Sequence, residues 1–386
     1  MTKTKPNIII RTIRTVLYII LLLNIFILGS GKWYLYKTII YNLPNIDDNK
    51  IFDQRMIPAG TPFEFPIGTD YCKASMPSSL NQTLERLQSV AFLVIKDDSL
   101  RYEKYWDGYD KNSYSNSFSM AKTTVSILVG VAIEEGKIKS VDEKVSDFLP
   151  QFNNGLGAQM TIKHVLTMSS GTDWYESYSN PLSVTTEAYY GSNIPKLVAN
   201  MKVVDQPGKY FKYLSGNTLI LAAVLEKATG MNISEYASQK LWKPMGAANA
   251  AQWSVDKKDG EEKAYCCFFS NARDFARIGE LYLHKGNWNG KQLVSEDYVN
   301  NSIKPANLLD EATNTPIDHY GYSWWLINRK GHQVFYARGI LGQYVFVIPD
   351  KKIVAVRLGK KRGAKDGKYT YDDISTYLDG ILEMYP

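Results

Sequence analysis

A chain of 386 residues with 45% hydrophobic and 22% charged residues is globular in composition, which excludes low-complexity and collagen-like classes. Its net charge of +6 invites a nucleic-acid reading, but Lys3, Lys5, Arg11, Arg14, Lys32 and Lys37 all precede the first acidic residue, Asp47. Subtracting those six from the 45 basic residues leaves 39, equal to the 39 acidic ones, so the excess belongs to an N-terminal tail and no nucleic-acid partner is expected.

Residues Val16 to Leu28 are apolar except for Tyr18 and Asn24, lie behind basic residues and are followed by Gly29-Ser30-Gly31. Residues 1–37 therefore read as a basic tail plus a transmembrane signal-anchor, or as a cleaved signal peptide. The aromatic and basic run Lys32-Trp33-Tyr34-Leu35-Tyr36-Lys37 resembles an interface belt and favours the anchor. Basic residues inside predict a membrane-anchored protein whose body is extracytoplasmic, or a secreted one if the segment is cleaved.

Residues 38–80 are rich in Pro, Asp and Asn and lack periodicity, as in a linker or an arm wrapping a domain that occupies 81–386. Val90 to Ile95 and Leu100 to Trp106 flank a Lys-Asp-Asp turn and predict a hairpin. The chain from about 118 to 310 is mostly helical in period, for example Ser119 to Glu135, Asn217 to Thr229 and Ala272 to His284. Strand patterns return at Tyr322 to Asn328, His332 to Ala337, Gln343 to Ile348 and Ile353 to Leu358, before a helix over Asp372 to Met384. This order predicts an α+β fold, an antiparallel sheet built from both chain ends and flanked by helices, with an inserted helical subdomain. The basic run Lys360-Lys361-Arg362 reads as a solvated loop.

Four scattered histidines form no H-x-x-x-H pair, and the cysteines (Cys72 and the adjacent Cys266-Cys267) form no C-x-x-C, so no metal site is expected. A disulfide from Cys72 to either neighbour and three free thiols both remain open.

Ser119-Met120-Ala121-Lys122 carries the chemistry. Lys122 is the only charged residue between Ser113 and Ile133, on an otherwise apolar helix. Burial disfavours an isolated ammonium, so such a lysine tends toward the neutral amine. Ser119 lies one turn earlier on the same face, at a helix start where free N–H groups favour developing negative charge. A serine hydroxyl needs a base, and a neutral lysine can act as one. The bland alternative is a capping serine with a snorkelling lysine. Ser254-Val255-Asp256-Lys257 repeats the pattern in a charged stretch with no apolar helix behind it, and serves as the decoy. No G-x-S-x-G elbow supports a histidine triad.

S-M-A-K opening a helix resembles the serine β-lactamase and penicillin-binding-protein superfamily, in its class C-like branch, and is most similar to 6-aminohexanoate-dimer hydrolase and esterase members. The likeness runs over about residues 90–386, through TIKHVLTMSSGTDWYE, YLSGNTLILAAVLEKATG and ARGILGQYVFVIP. It implies a β-lactamase/transpeptidase-like fold, no cofactor, and proton transfer shared between Lys122 and Tyr213, with Ser215 departing from the branch's Y-x-N. It further implies an oxyanion hole from the Ser119 and Ile340 N–H groups. Trp174, Glu176 and Gly339 are implied as substrate contacts, or, read blandly, as packing and solvated residues. K-T-G is absent, and Tyr336-Ala337-Arg338-Gly339 stands in its place. Arg338 is a substitute carboxylate partner or a solvent-facing strand residue.

Three functions follow in order. The first is a serine hydrolase acting on a small-molecule carboxylic ester or linear amide through a Ser119 acyl-enzyme. The second is a D-amino-acid peptidase or β-lactamase acting on peptidoglycan-type substrates. The third is a non-catalytic membrane-tethered binding or sensor protein. Oligomeric state is not legible.

Overall fold

The computed structural model describes residues 5–386, with side chains from Ile8 onward, so Lys3 and the Lys5 side chain of the basic tail lie outside the described residues. Six strands form the main antiparallel sheet: β1 (Ser89–Lys96), β2 (Ser99–Tyr105), β3 (Trp325–Arg329), β4 (His332–Gly339), β5 (Gln343–Ile348) and β6 (Ile353–Gly359). Their spatial order is β3-β4-β5-β6-β1-β2, so the first hairpin joins the last strand, with Val94 opposite Ala355. Alternate residues of β1 serve opposite faces. Leu93 and Ile95 join a core with Phe275 and Ile278, whereas Phe92 and Val94 join one with Leu80, Tyr377 and Leu378. Both faces are covered, which explains why β1, β5 and β6 read as continuous apolar runs rather than alternating ones.

The helices that matter here are α1 (Lys5–Ser30), α2 (Tyr34–Tyr41), α3 (Ala121–Glu134), α4 (Val184–Tyr190), α5 (Ser215–Thr229), α6 (Ala272–Leu283) and α7 (Asp372–Met384). Helix α6 packs on one face of the sheet, while α7 and the helix Ser78–Arg86 pack on the other. Helix α3 is buried from Ala121 through Ala132 and forms the axis of the helical region.

Helix α1 contains a span, Ile8–Ser30, of mean hydropathy 2.1, long and apolar enough to cross a membrane. Its last turns dock on the body: Ile27 is fully buried, and Tyr36 donates from its hydroxyl to Asn24 Oδ1 at 2.7 Å.

Residues 38–80 hold more structure than their composition suggests. Gln54–Ile57 pairs antiparallel with Ala251–Ser254 in a second, four-stranded sheet that also contains Phe268–Ser270 and Ser115–Asn116. Cys266 and Cys267 are bonded to each other, and Cys72 is free and exposed. That corrects the expectation of a bridge to Cys72 or three free thiols. Adjacency hides such a pair, because it requires a turn that sequence does not announce; Cys267 takes it with φ of 62°.

Candidate active site

Ser119 sits where the two sheets meet. The short strand Ser115–Asn116 pairs with Phe269 and Ser270, and the Ser117 N–H donates to the Phe268 carbonyl at 2.9 Å. Phe118 then adopts φ of 44°, a left-handed conformation costing about 1–2 kcal/mol for a non-glycine residue. The turn is held by its N–H donating to Asn116 Oδ1 (2.9 Å) and by burial of the Phe118 ring. A 3-10 turn over Phe118–Met120 leads directly into α3, which places Ser119 at the helix N-terminus.

Lys122 is 1% exposed. Its Nζ donates to Ser119 Oγ at 3.0 Å and to the Tyr265 carbonyl at 3.0 Å, with no carboxylate partner among the described residues. The same nitrogen lies 5.1 Å from the Tyr213 ring centroid and 5.5 Å from that of Tyr265. Tyr213 is half-buried against Tyr320 and Trp325. Burial, with Glu176 and Tyr190 nearby, pushes the Tyr265 phenol well above its ordinary value, so it stays protonated. Its hydroxyl is buried without a partner among the described residues.

Ile340 opens the turn between β4 and β5, where Leu341 and Gly342 take φ of 62° and 82°. Neither the Ser119 nor the Ile340 N–H donates to a backbone carbonyl in the loops and caps of the described residues. Arg357 fixes this turn from beneath: fully buried on β6, it donates to the Leu341 (2.9 Å) and Gly342 (2.6 Å) carbonyls. It also reaches the Leu87 carbonyl at 2.7 Å. Gln343 donates to the Ile340 carbonyl at 3.2 Å. Gly339 matters for a different approach than the one expected. A Cβ there would lie 2.2 Å from the Ser117 carbonyl oxygen, so its smallness lets β4 close on the serine turn.

Ser119 and Ile340 line one cavity of about 600 Å³ together with Tyr178, Tyr190, Leu341 and Leu43. Trp174 and Glu176 are not among the residues of its wall. The Trp174 ring packs over Gly216, and its Nε1 donates to Glu176 Oε2 at 2.9 Å. Glu176 in turn accepts from the Ser215 N–H (2.7 Å) and hydroxyl (2.8 Å), capping α5, which has no cap of its own. These two residues brace the loop that presents Tyr213, and Glu176 is held by internal hydrogen bonds rather than left solvated.

Arg338 is not solvent-facing. Its guanidinium stacks 3.6 Å from the Trp325 ring centroid and donates to the Tyr369 carbonyl, which engages it away from the cavity. Arg362, expected in a solvated loop, instead lines the cavity and stacks on Tyr371 at 4.0 Å. The decoy behaves as a decoy: Ser254 lies in a strand against Gln54, and Lys257 is exposed.

Sequence reasoning missed Tyr265, whose carbonyl orients Lys122, because its role depends on a strand-to-turn passage remote in sequence. It also missed Arg357, for which a signal existed. This arginine interrupts an otherwise apolar strand, Ile353-Val354-Ala355-Val356-Arg357-Leu358.

The beta-lactamase family profile matches residues 79–376. The 6-aminohexanoate-dimer hydrolase of Paenarthrobacter ureafaciens is 27% identical over 314 residues, covering 77% of this chain and 79% of that protein. A Bacillus anthracis structure provisionally described as a 6-aminohexanoate-dimer hydrolase superposes with a TM-score of 0.75 at 20% identity, covering 88% of this chain and 92% of that one. A family VIII carboxylesterase superposes with a TM-score of 0.65 at 13% identity, covering 83% and 99%. The chain belongs to the beta-lactamase family. It is a hydrolase of the serine β-lactamase, esterase and amidase type.

Proposed function

We propose that this protein hydrolyses a carboxylic ester or a small linear amide through a Ser119 acyl-enzyme. The observation that carries this reading is the 3.0 Å contact from Lys122 Nζ to Ser119 Oγ at the wall of a cavity that also holds Ile340. Ser119 Oγ bonds to the substrate carbonyl carbon as its proton passes to Lys122. The Ser119 and Ile340 N–H groups take the oxyanion. Lys122, with Tyr213 beside it, returns the proton to the departing alcohol oxygen or amine nitrogen as that bond breaks. Water then attacks the acyl carbon, gives its proton to the same pair, and releases the acid and free Ser119. The relatives named for a 6-aminohexanoate dimer and for carboxylic esters support this substrate class. A β-lactam reading is weaker, because Arg338 is committed to Trp325 and Tyr369 rather than to a substrate carboxylate.

The anchor reading of α1 belongs to the same proposal. Its support is the docked end of the helix, where Ile27 is buried and Asn24 meets Tyr36. Arg11 and Arg14 ahead of an uncleaved helix support a hydrolase domain held outside the cytoplasm.

The test is turnover of p-nitrophenyl acetate, a 6-aminohexanoate dimer and a chromogenic cephalosporin by the full chain in detergent. Ester or dimer hydrolysis well above cephalosporin hydrolysis is expected, and the reverse order would put the β-lactam reading first. Gly339→Ala is expected to lower ester kcat by about 100-fold or more, since moving the Ile340 N–H removes one oxyanion donor. An unchanged kcat in that variant would remove Ile340 from the oxyanion hole.

A further inference from the structure

The cavity that holds Ser119 has a second wall that the mechanism does not use. It is built by the segment following the apolar helix: Thr38, Asn42, Leu43 and Pro44 line the same space as Ser119 and Ile340. Thr38 lies in helix α2, eight residues and about 12 Å long, Asn42 to Pro44 follow it directly, and one short turn joins α2 to the end of α1. The connection is fixed rather than loose. Tyr190 of α4 donates from its hydroxyl to the Asn42 carbonyl at 3.3 Å, and Lys32 pairs with Glu187 at 3.8 Å.

The rim of this cavity is apolar and bare. Of its lining residues, Leu43 is 68% exposed and Tyr178 is also exposed, and the neighbouring Ile39 and Ile40 of α2 and Leu182 add exposed apolar surface beside it. Exposed apolar side chains gathered at one opening mark a surface that something apolar covers. Among the lining residues only Arg362 is charged, so the wall is poorly suited to a highly ionic substrate. A membrane-spanning α1 would hold this rim at the bilayer surface, with Trp33 and Tyr41 at the level of the headgroups.

We propose that the substrate is a long-chain ester or amide dissolved in the bilayer, whose acyl chain enters between Leu43 and Tyr178 and lies in the cavity beside Ser119. This rests on the serine-hydrolase and anchor readings given above, and adds the substrate's chemical class and its route of entry. Each methylene that the cavity buries strengthens transition-state binding by about fourfold until the space is filled.

The experiment uses the full chain in phosphatidylcholine vesicles. It measures kcat/KM for p-nitrophenyl butanoate, octanoate and dodecanoate, with a fluorophosphonate probe reporting the state of Ser119. Dodecanoate is expected to exceed butanoate by about 30-fold or more. Leu43→Asp and Tyr178→Asp, read in the same vesicles so that partitioning of the ester cancels, are each expected to cut that ratio about tenfold. Labelled protein with a flat or falling chain-length series would overturn the proposal while leaving the serine-hydrolase reading intact. So would a ratio that both variants leave unchanged. Failure of the unmodified chain to label or turn over any ester would instead overturn the hydrolase reading, and this proposal with it.

Discussion

Ser119→Ala is expected to abolish fluorophosphonate labelling and to lower ester kcat/KM by about 10⁴-fold or more, because the bond-forming atom is gone. Lys122→Met is expected to lower kcat/KM by about 10³-fold while leaving the melting temperature within a few degrees of the unmodified protein. A lysine retained for structure would behave differently. Lys122 is buried without a carboxylate, and its two acceptors are Ser119 Oγ and the Tyr265 carbonyl. Removing it leaves one buried carbonyl unpaired, at about 1–3 kcal/mol, but also relieves the burial of a polar amine in an apolar helix. The two terms oppose each other in stability, whereas in catalysis nothing replaces the proton acceptor. A collapse of the melting temperature together with activity would make Lys122 structural, and persistent labelling of Ser119→Ala would place the nucleophile elsewhere.

Lys263→Met is expected to stabilise the protein at neutral pH and to lose that advantage as the pH rises. Lys263 is fully enclosed, with the Ala188 carbonyl at 3.1 Å, the Gly191 carbonyl at 3.4 Å and the Phe52 ring centroid at 4.8 Å. Burial pulls its pKa down to about 7, against a partial counter-pull from Asp256 and a smaller push from Lys37. The unfolded chain holds the proton up to its usual value of about 10.4. Between those values the unfolded state binds more protons, so stability rises with pH across the window, by roughly 5 kcal/mol at most. Other groups slope the other way. His284 is raised to about 9, chiefly by its hydrogen bond to Glu280 and by Asp98, so its contribution is lost as pH climbs through 9. Subtracting the unmodified protein from the variant cancels such terms. Thermal melts in detergent at pH 6.5, 8 and 9.5 should show the variant's advantage largest at pH 6.5 and nearly gone near pH 10. A difference independent of pH would mean that Lys263 is charged and paired in the fold. Because Lys263 holds the carbonyls at the end of α4, its variant also reports on the cavity roof, where Tyr189 and Tyr190 sit.

The strands at the chain ends were legible because each is a short apolar run between turn residues, and β5 and the C-terminal helix α7 have the bounds their patterns predict. Ser119 and Lys122 were legible for a related reason: a lone cation in an apolar helix is a local anomaly. What stayed hidden depends on distant partners. Gln54–Ile57 looks like linker until Ala251–Ser254, some two hundred residues later, completes its ladder. Glu176 looks solvated until Ser215 supplies the helix end that it caps. The left-handed Phe118 turn and the Leu341–Gly342 turn carry no marker other than Gly342 itself, since side chains such as Phe and Leu rarely take that conformation. Tyr265 contributes a carbonyl, an atom every residue possesses, and side-chain chemistry gives no hint of it.

The order of the main sheet has a consequence for how the protein is made. The β1–β2 hairpin is synthesised near residue 100, yet the strand it joins in the sheet, β6, begins at Ile353. During synthesis the hairpin therefore emerges long before its partner, with one edge of β1 open and its apolar faces uncovered. Such high contact order slows folding and leaves a window for aggregation or proteolysis before β6 arrives. Truncation a few residues short of β6 would remove far more than its length suggests, since it would leave the hairpin with no sheet to join.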